Sequence, residues 1–167
     1  MRKLMIGCAI GVLVVGLAAC TNSGTSSATE QAQQHEADMW EIDQIEKDFH
    51  KATTTKDIDL MMGLWAPNAT LTIGPELTAA GVDEIRQFWL EKSQPFAPET
   101  TWVSDHPAYK LAVTVNGDRG TLHFECHYGD YDTEKLALTT VADLDVARID
   151  GRWLITNMVA GSTSLVP

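Results

Sequence analysis

Apolar residues recur three and four apart through the first half of this chain and alternate through the second, and the period changes near Trp102. Ile42, Ile45, Phe49 and Ala52 fall on one face of a helix expected from about Glu36 to Thr55, with Trp40 beside that stripe. Asp57 can cap a second helix carrying Leu60, Met61, Leu64 and Trp65, which Pro67 and Asn68 stop. A strand is expected over Ala69 to Ile73, broken by Gly74 and Pro75. Gly81 then opens a third helix with Asp83 and Glu84 in its first turn and Val82, Ile85, Phe88 and Trp89 on its apolar face.

Beyond the Pro95 and Pro98 linker, alternation predicts four strands. Asn116-Gly117 is a strong two-residue hairpin signal; a turn there sets Val115 against Asp118, Val113 against Gly120, Leu111 against Leu122 and Tyr109 against Phe124. Carried further, the same register places His106 opposite His127. A second turn at Asp150-Gly151 sets Ile149 against Arg152, Val146 against Ile155 and Ala142 against Val159. The connection around Asp132 to Lys135 leaves its register open, and an odd loop length would align the apolar sets. One face then carries Tyr109, Leu111, Val113, Val115, Leu122, Phe124, Cys126, Tyr128, Leu144, Val146, Trp153, Ile155 and Val159, with Asn157 among them. This is the face that helices should cover. The other carries Lys110, Thr114, His123, Glu125, His127, Asp143, Asp145 and Thr156 and should meet water or a partner subunit.

Arg2 and Lys3, an apolar run from Leu4 to Leu17 and the ending Leu17-Ala18-Ala19-Cys20 have the layout of a signal peptide over residues 1 to 19. The ending resembles the lipobox of bacterial lipoproteins. That resemblance implies cleavage before Cys20, a diacylglyceryl thioether on its sulfur, an acylated amine and an extracytoplasmic, membrane-anchored domain. Thr21 in place of Asp implies outer-membrane sorting if the cell has an outer membrane. Residues 20 to 35, rich in Ser, Thr and Gln, read as a lipidated cysteine and flexible tether. Residues 36 to 167 make one domain. The formal charge of −11 becomes −13 when Arg2 and Lys3 leave, which argues against a nucleic-acid partner. With Cys8 removed and Cys20 lipidated, Cys126 stands alone and no internal disulfide forms.

Lys56-Asp57-Ile58-Asp59-Leu60, Leu64-Trp65-Ala66-Pro67-Asn68-Ala69-Thr70, Gly81 to Trp89 and Asp150-Gly151-Arg152-Trp153-Leu154-Ile155 resemble, in that order, four motifs of the NTF2-like superfamily and its SnoaL-like, ketosteroid-isomerase-like branch. The resemblance implies an α+β cone, three N-terminal helices packed on a curved antiparallel sheet, and a pocket between the concave face and the helices. It also places the isomerase's oxyanion-hole tyrosine on Phe49 and its catalytic aspartate on Ile73. Neither side chain can donate or take a proton, so steroid-isomerase chemistry is not expected.

The apolar set Trp40, Phe49, Trp65, Phe88, Trp89, Phe124 and Tyr128, together with Asn157, is the candidate pocket lining; a plain core role is the competing assignment for most of them. His106, Glu125 and His127 are the candidate metal ligands, against the alternative of a solvated or dimer-facing polar sheet. No cofactor is implied. Cys126 reads as a buried hydrophobe, with the neighbouring histidines expected to point away from it. Two functional readings stay open: a domain that binds a small apolar or amphipathic ligand or a protein partner without covalent chemistry, and a SnoaL-like enzyme using Asn157, Tyr128 or Arg148 to polarise a carbonyl-bearing substrate. Pairing of two copies through the polar sheet face is a further expectation.

Overall fold

In the computed structural model, which describes residues 23–107 and 110–164, the long first helix α1 (Ser23–Thr55) lies across a seven-stranded sheet. It starts well before Glu36, because the Ala, Gln and Glu of the expected tether are good helix formers and extend the packed helix into solvent. The lipobox, Cys20 and Thr21 lie outside the described residues, as does Tyr109. Ile42, Ile45, Phe49 and Ala52 are buried as their spacing requires.

Lys56 turns the chain with a φ of 56°, and α2 (Ile58–Met62) follows. The Asp57 carboxylate caps it, accepting from the backbone N–H groups of Asp59 at 3.1 Å and Leu60 at 2.9 Å. The helix is shorter than its apolar spacing suggests. Trp65 already belongs to β1 (Trp65–Ile73), where its register against Ile155 buries the indole. Gly74, with φ 57°, opens a tight turn into β2 (Leu77–Ala80), a strand too short to register as alternation. Gly81 leads into α3 (Val82–Glu91), which buries Ile85, Phe88 and Trp89, and a 3₁₀ turn over Gln94–Phe96 closes this layer.

The remaining strands are β3 (Trp102–Asp105), β4 (Ala112–Asn116), β5 (Arg119–Asp130), β6 (Lys135–Ile149) and β7 (Arg152–Ser164). The sheet runs β2-β1-β7-β6-β5-β3, with β4 also paired to β5. It is mixed rather than wholly antiparallel, since β1 and β7 run parallel. The fold is thus an α+β cone: three helices over the concave face of a curved sheet.

Three registers differ from those expected, and the size of each shift decides its consequence. At the β4–β5 hairpin the loop is Gly117-Asp118, with Gly117 at φ 61°, so that Val113 faces Leu122 and Val115 faces Gly120. A slip by two residues leaves every side chain on its face. Between β3 and β4 the chain leaves the sheet, so the hairpin turn no longer governs the strand upstream. Asp105, and not His106, faces His127. A one-residue shift reverses faces, and it sends Ser104 and His106 inward.

In β7 an extra residue, Thr156, bulges between the pairs Val146–Ile155 and Asp145–Asn157. Ala142 therefore faces Ala160 instead of Val159. Met158 turns into the core, and Val159 is left 49% exposed on the outer face. Asn157 turns outward with it. The β5–β6 connection has an even loop, 131–134, and a second bulge at Ala137 supplies the odd residue that brings Tyr128 and Leu138 together on the concave side.

Candidate functional site

Two features lie between the helices and the concave face. The first is a cavity of about 340 Å³. Phe49 of α1, Phe88 and Trp89 of α3, Ile73 and Leu77 of the β1–β2 hairpin, and Tyr128, Leu138 and Met158 of the sheet form its apolar wall. Thr140, Ser162, Ser93, Gln94 and Lys92 add polar atoms, and Lys92, Gln94 and Ser162 are exposed. Phe49 stands at the centre of the aromatic packing, edge-on to Trp89 at 5.4 Å and to Phe124 at 5.3 Å between ring centroids. Phe49 and Ile73, the two positions aligned with isomerase catalytic groups, both line this cavity, so its acid/base capacity there is nil.

The pocket set from the sequence is only partly brought together. Phe49, Phe88, Trp89 and Tyr128 line the cavity, whereas Trp65 and Phe124 are buried in the core around it. Two members lie elsewhere. Trp40 is 61% exposed, because the α1 stripe that faces the sheet passes through Ile42 and Ile45 and leaves Trp40 over a shallow groove beside Gly151 and Arg152. Asn157 is on the outer face because of the Thr156 bulge: its carbonyl accepts from the Thr70 hydroxyl at 2.6 Å and its amide donates to Asp145 at 3.2 Å. Arg148 stays on the helix-covered side but outside the cavity lining, stacking 4.9 Å over the Trp153 ring and pairing with Asp38 of α1 and with Asp118.

The second feature is a buried polar chain that hydrophobic spacing alone does not expose. Glu46 is 0% and His50 6% exposed. One helical turn apart on α1, they share the inner stripe with Ile42, Phe49 and Thr53. His50 Nε2 lies 2.5 Å from Glu46 Oε1, and His106 Nδ1 reaches the same oxygen at 2.7 Å. His50 Nδ1 is hydrogen-bonded to the Ser104 hydroxyl, and Cys126 Sγ sits 3.6 Å from His50 Nε2. Tyr128, whose hydroxyl interacts with Ser104 and Thr53, joins this chain to the cavity wall.

Burial, and then the neighbouring Cys126, push the Tyr128 hydroxyl well above its ordinary range; burial, with the charge of Glu46, pushes the Cys126 thiol up as well. Both therefore stay protonated at neutral pH, and Cys126 has a histidine beside it without the thiolate character of a nucleophile. The strand neighbours His123 and His127 point away from Cys126 as expected, while His50 approaches it from α1.

The metal candidates His106, Glu125 and His127 are not assembled. His127 pairs with Glu125 at 2.6 Å and Lys110 with the other Glu125 oxygen at 3.3 Å on the outer face, while His106 has turned inward with the β3 register. Glu46 and His50 were the readable omission. Continuing the Ile42 spacing by steps of three and four runs through 46, 49, 50 and 53, a stripe with polar members that a count of apolar residues passes over.

The sequence matches the SnoaL-like domain over residues 34–159. The chain belongs to this family. Solved structures share the SnoaL-like chain's fold at low identity: an NTF2-like protein of unknown function from Pseudomonas putida (TM-score 0.66, 18% identity, covering 75% of this chain and 87% of the other), an NTF2-like protein with a cystatin-like fold from Novosphingobium aromaticivorans (0.64, 16%, 87% and 91%), and a hexachlorocyclohexane dehydrochlorinase, LinA type 2 (0.60, 16%, 78% and 90%). No curated protein matches the chain. The SnoaL-like domain's fold is thus shared with these structures, and fold alone does not decide what the cavity residues do.

Proposed function

We propose that this SnoaL-like domain binds a small apolar or amphipathic molecule in the cavity between α1, α3 and the concave sheet, on a chain held at the outer side of a bacterial membrane by lipidated Cys20. The observation that carries the reading is the lining itself: nine apolar or aromatic side chains line about 340 Å³, and the one ionisable group besides Tyr128 is Lys92, which is exposed. Small-molecule sites are typically mostly apolar, from about 300 Å³ upward, with few polar groups for orientation. Saturable uptake of an anilinonaphthalene-type fluorescent probe is expected, and Ile73→Trp, which fills the cavity, should reduce its affinity at least tenfold. Equal probe affinity in wild type and Ile73→Trp refutes the site. Incorporation of a labelled fatty acid, lost in Cys20→Ser, tests the anchor.

An enzymatic reading has one observation in its favour: the protonated Tyr128 hydroxyl lies where the cavity meets the Ser104–His50–Glu46 chain. A hydroxyl so placed can donate to a developing oxyanion of a carbonyl-bearing substrate. That reading requires turnover which Tyr128→Phe abolishes while probe affinity stays. Pairing of two copies through the outer sheet face is supported by exposed Val141 and Val159 on that face. The mass in solution of wild type and of a Val141→Lys, Val159→Lys variant tests it.

A further inference from the structure

Glu46 is a fully buried carboxylate whose ionic neighbours, among the described residues, are two imidazoles and no lysine or arginine. Among the described residues neither of its oxygens has an aligned hydrogen-bond donor, although Oε1 is 2.5 Å from His50 Nε2 and 2.7 Å from His106 Nδ1. The contact is therefore close without the N–H direction of a hydrogen bond. A buried carboxylate left in this way is costly unless positive charge is supplied.

The tautomer of His50 sharpens the point. When Nδ1–H donates to the Ser104 hydroxyl, Nε2 carries a lone pair, and that lone pair confronts the lone pairs of Glu46 Oε1. His106 Nδ1 completes a group of three donor atoms, one from each residue, all within 4.8 Å of one another. A cation at their common centre removes the repulsion, and Ser104 then acts as the outer partner that fixes the ring of a metal-bound histidine.

We propose that Glu46, His50 and His106 bind a divalent transition-metal ion of the zinc class. Two imidazoles and one carboxylate suit zinc and its first-row neighbours, with one coordination position left for water, whereas calcium and magnesium favour sets made of oxygen. Bonds of about 2.0 Å in a tetrahedron put neighbouring ligand atoms roughly 3.3 Å apart. The carboxylate oxygen thus needs to part from each imidazole nitrogen by less than about 1 Å, and the two imidazole nitrogens, within 4.8 Å of each other, need to settle at the same separation. His106 directly follows the end of β3 at Asp105, and its partial exposure opens a path from solvent. Glu46 and His50 are one turn apart on α1, so the ion would clamp that helix to the β3 edge of the sheet. This site is separate from the cavity lining, and its outcome is independent of whether the cavity binds a ligand.

The test is zinc titration of the chelator-stripped protein by calorimetry, with the visible absorption of Co²⁺ as a second readout of coordination. Expected are one ion per chain, micromolar affinity or tighter, a Co²⁺ spectrum of four- or five-coordinate intensity and a rise in Tm with zinc. His106→Ala, on a partly exposed segment outside the strands, and the near-isosteric Glu46→Gln should each weaken binding at least tenfold with an unchanged far-UV circular dichroism spectrum. His127→Ala and His123→Ala should leave it intact. Absence of zinc heat and Co²⁺ absorption in the wild type overturns the proposal, as does binding that survives His106→Ala or disappears in His127→Ala. If Glu46→Gln does not fold, the His106→Ala and His127→Ala pair still decides the outcome.

Discussion

At Gly120, on β5 opposite Val115, an added methyl group would meet the Thr114 carbonyl oxygen at 2.5 Å, Ile42 Cδ1 at 3.0 Å and Val146 Cγ2 at 3.2 Å. Its φ is not in the left-handed region, so the constraint is space and not backbone conformation. The isoleucine of α1 and the valine of β6 can give by a few tenths of an ångström, but the carbonyl belongs to the paired strand and cannot move without disturbing the hairpin. Overpacking of this kind costs about 1–3 kcal/mol, and contact with backbone argues for the upper part of that range. Against it stands a gain of roughly 0.4–1 kcal/mol from the lower entropy of the unfolded chain. A net loss near 2 kcal/mol is therefore expected, which for a domain of this size lowers Tm by about 6 °C.

Gly161, on β7 opposite Val141, is the control: nothing among the described residues lies within 4 Å of an added Cβ there, so Gly161→Ala should be neutral or slightly stabilising. Urea denaturation of the two variants with equal m-values gives the difference directly. If Gly120→Ala is as stable as Gly161→Ala, the close approach of α1 and β4 at this point is wrong, and with it the β4–β5 register.

Asp57→Ala should cost about 1 kcal/mol by removing the α2 cap, read from the urea midpoint. Asn157→Ala should cost about 1 kcal/mol through its lost bonds to Thr70 and Asp145 yet leave probe affinity in the cavity unchanged, the outcome that separates its outward placement from the pocket-lining one. Burial pushes the Asp38 carboxyl up, but hydrogen bonds from Arg148 and Gln34 and the Arg148 charge outweigh this and hold it below the ordinary value of 3.8. A lowered folded-state value means stability that is complete above the ordinary range and lost as pH falls through the folded one. The stability gap between wild type and Asp38→Asn should therefore be constant down to about pH 5 and close below 3.8, as thermal denaturation across that range would register.

Much of the fold was legible in the chain because local rules wrote it. The α1 face through Ile42, Ile45, Phe49 and Ala52, the Asp57 cap, the third helix from Gly81 and the Asp150-Gly151 turn each rest on interactions within a few residues. Helical spacing, capping and turn chemistry are properties of a short segment and survive transfer from sequence to structure. The β2 strand escaped notice because four residues between two glycine turns carry too little alternation to register.

The site was another matter, since single-residue offsets decided it. The break between β3 and β4 moved His106 from the outer face to Glu46, and the Thr156 bulge exchanged Asn157 for Met158 beneath the helices. Side chains alternate with a period of two along a strand, so one inserted or skipped residue reverses all that follow, and whether the insertion occurs depends on how distant strands and α1 pack. The sequence alone determined which segments are helix and strand and that Phe49 and Ile73 bring no proton donor or acceptor to the pocket. Only the tertiary structure decided that Glu46 and His50, neighbours on one turn of α1, meet the distant His106 in the interior, because that convergence is a property of register and helix docking rather than of any local pattern.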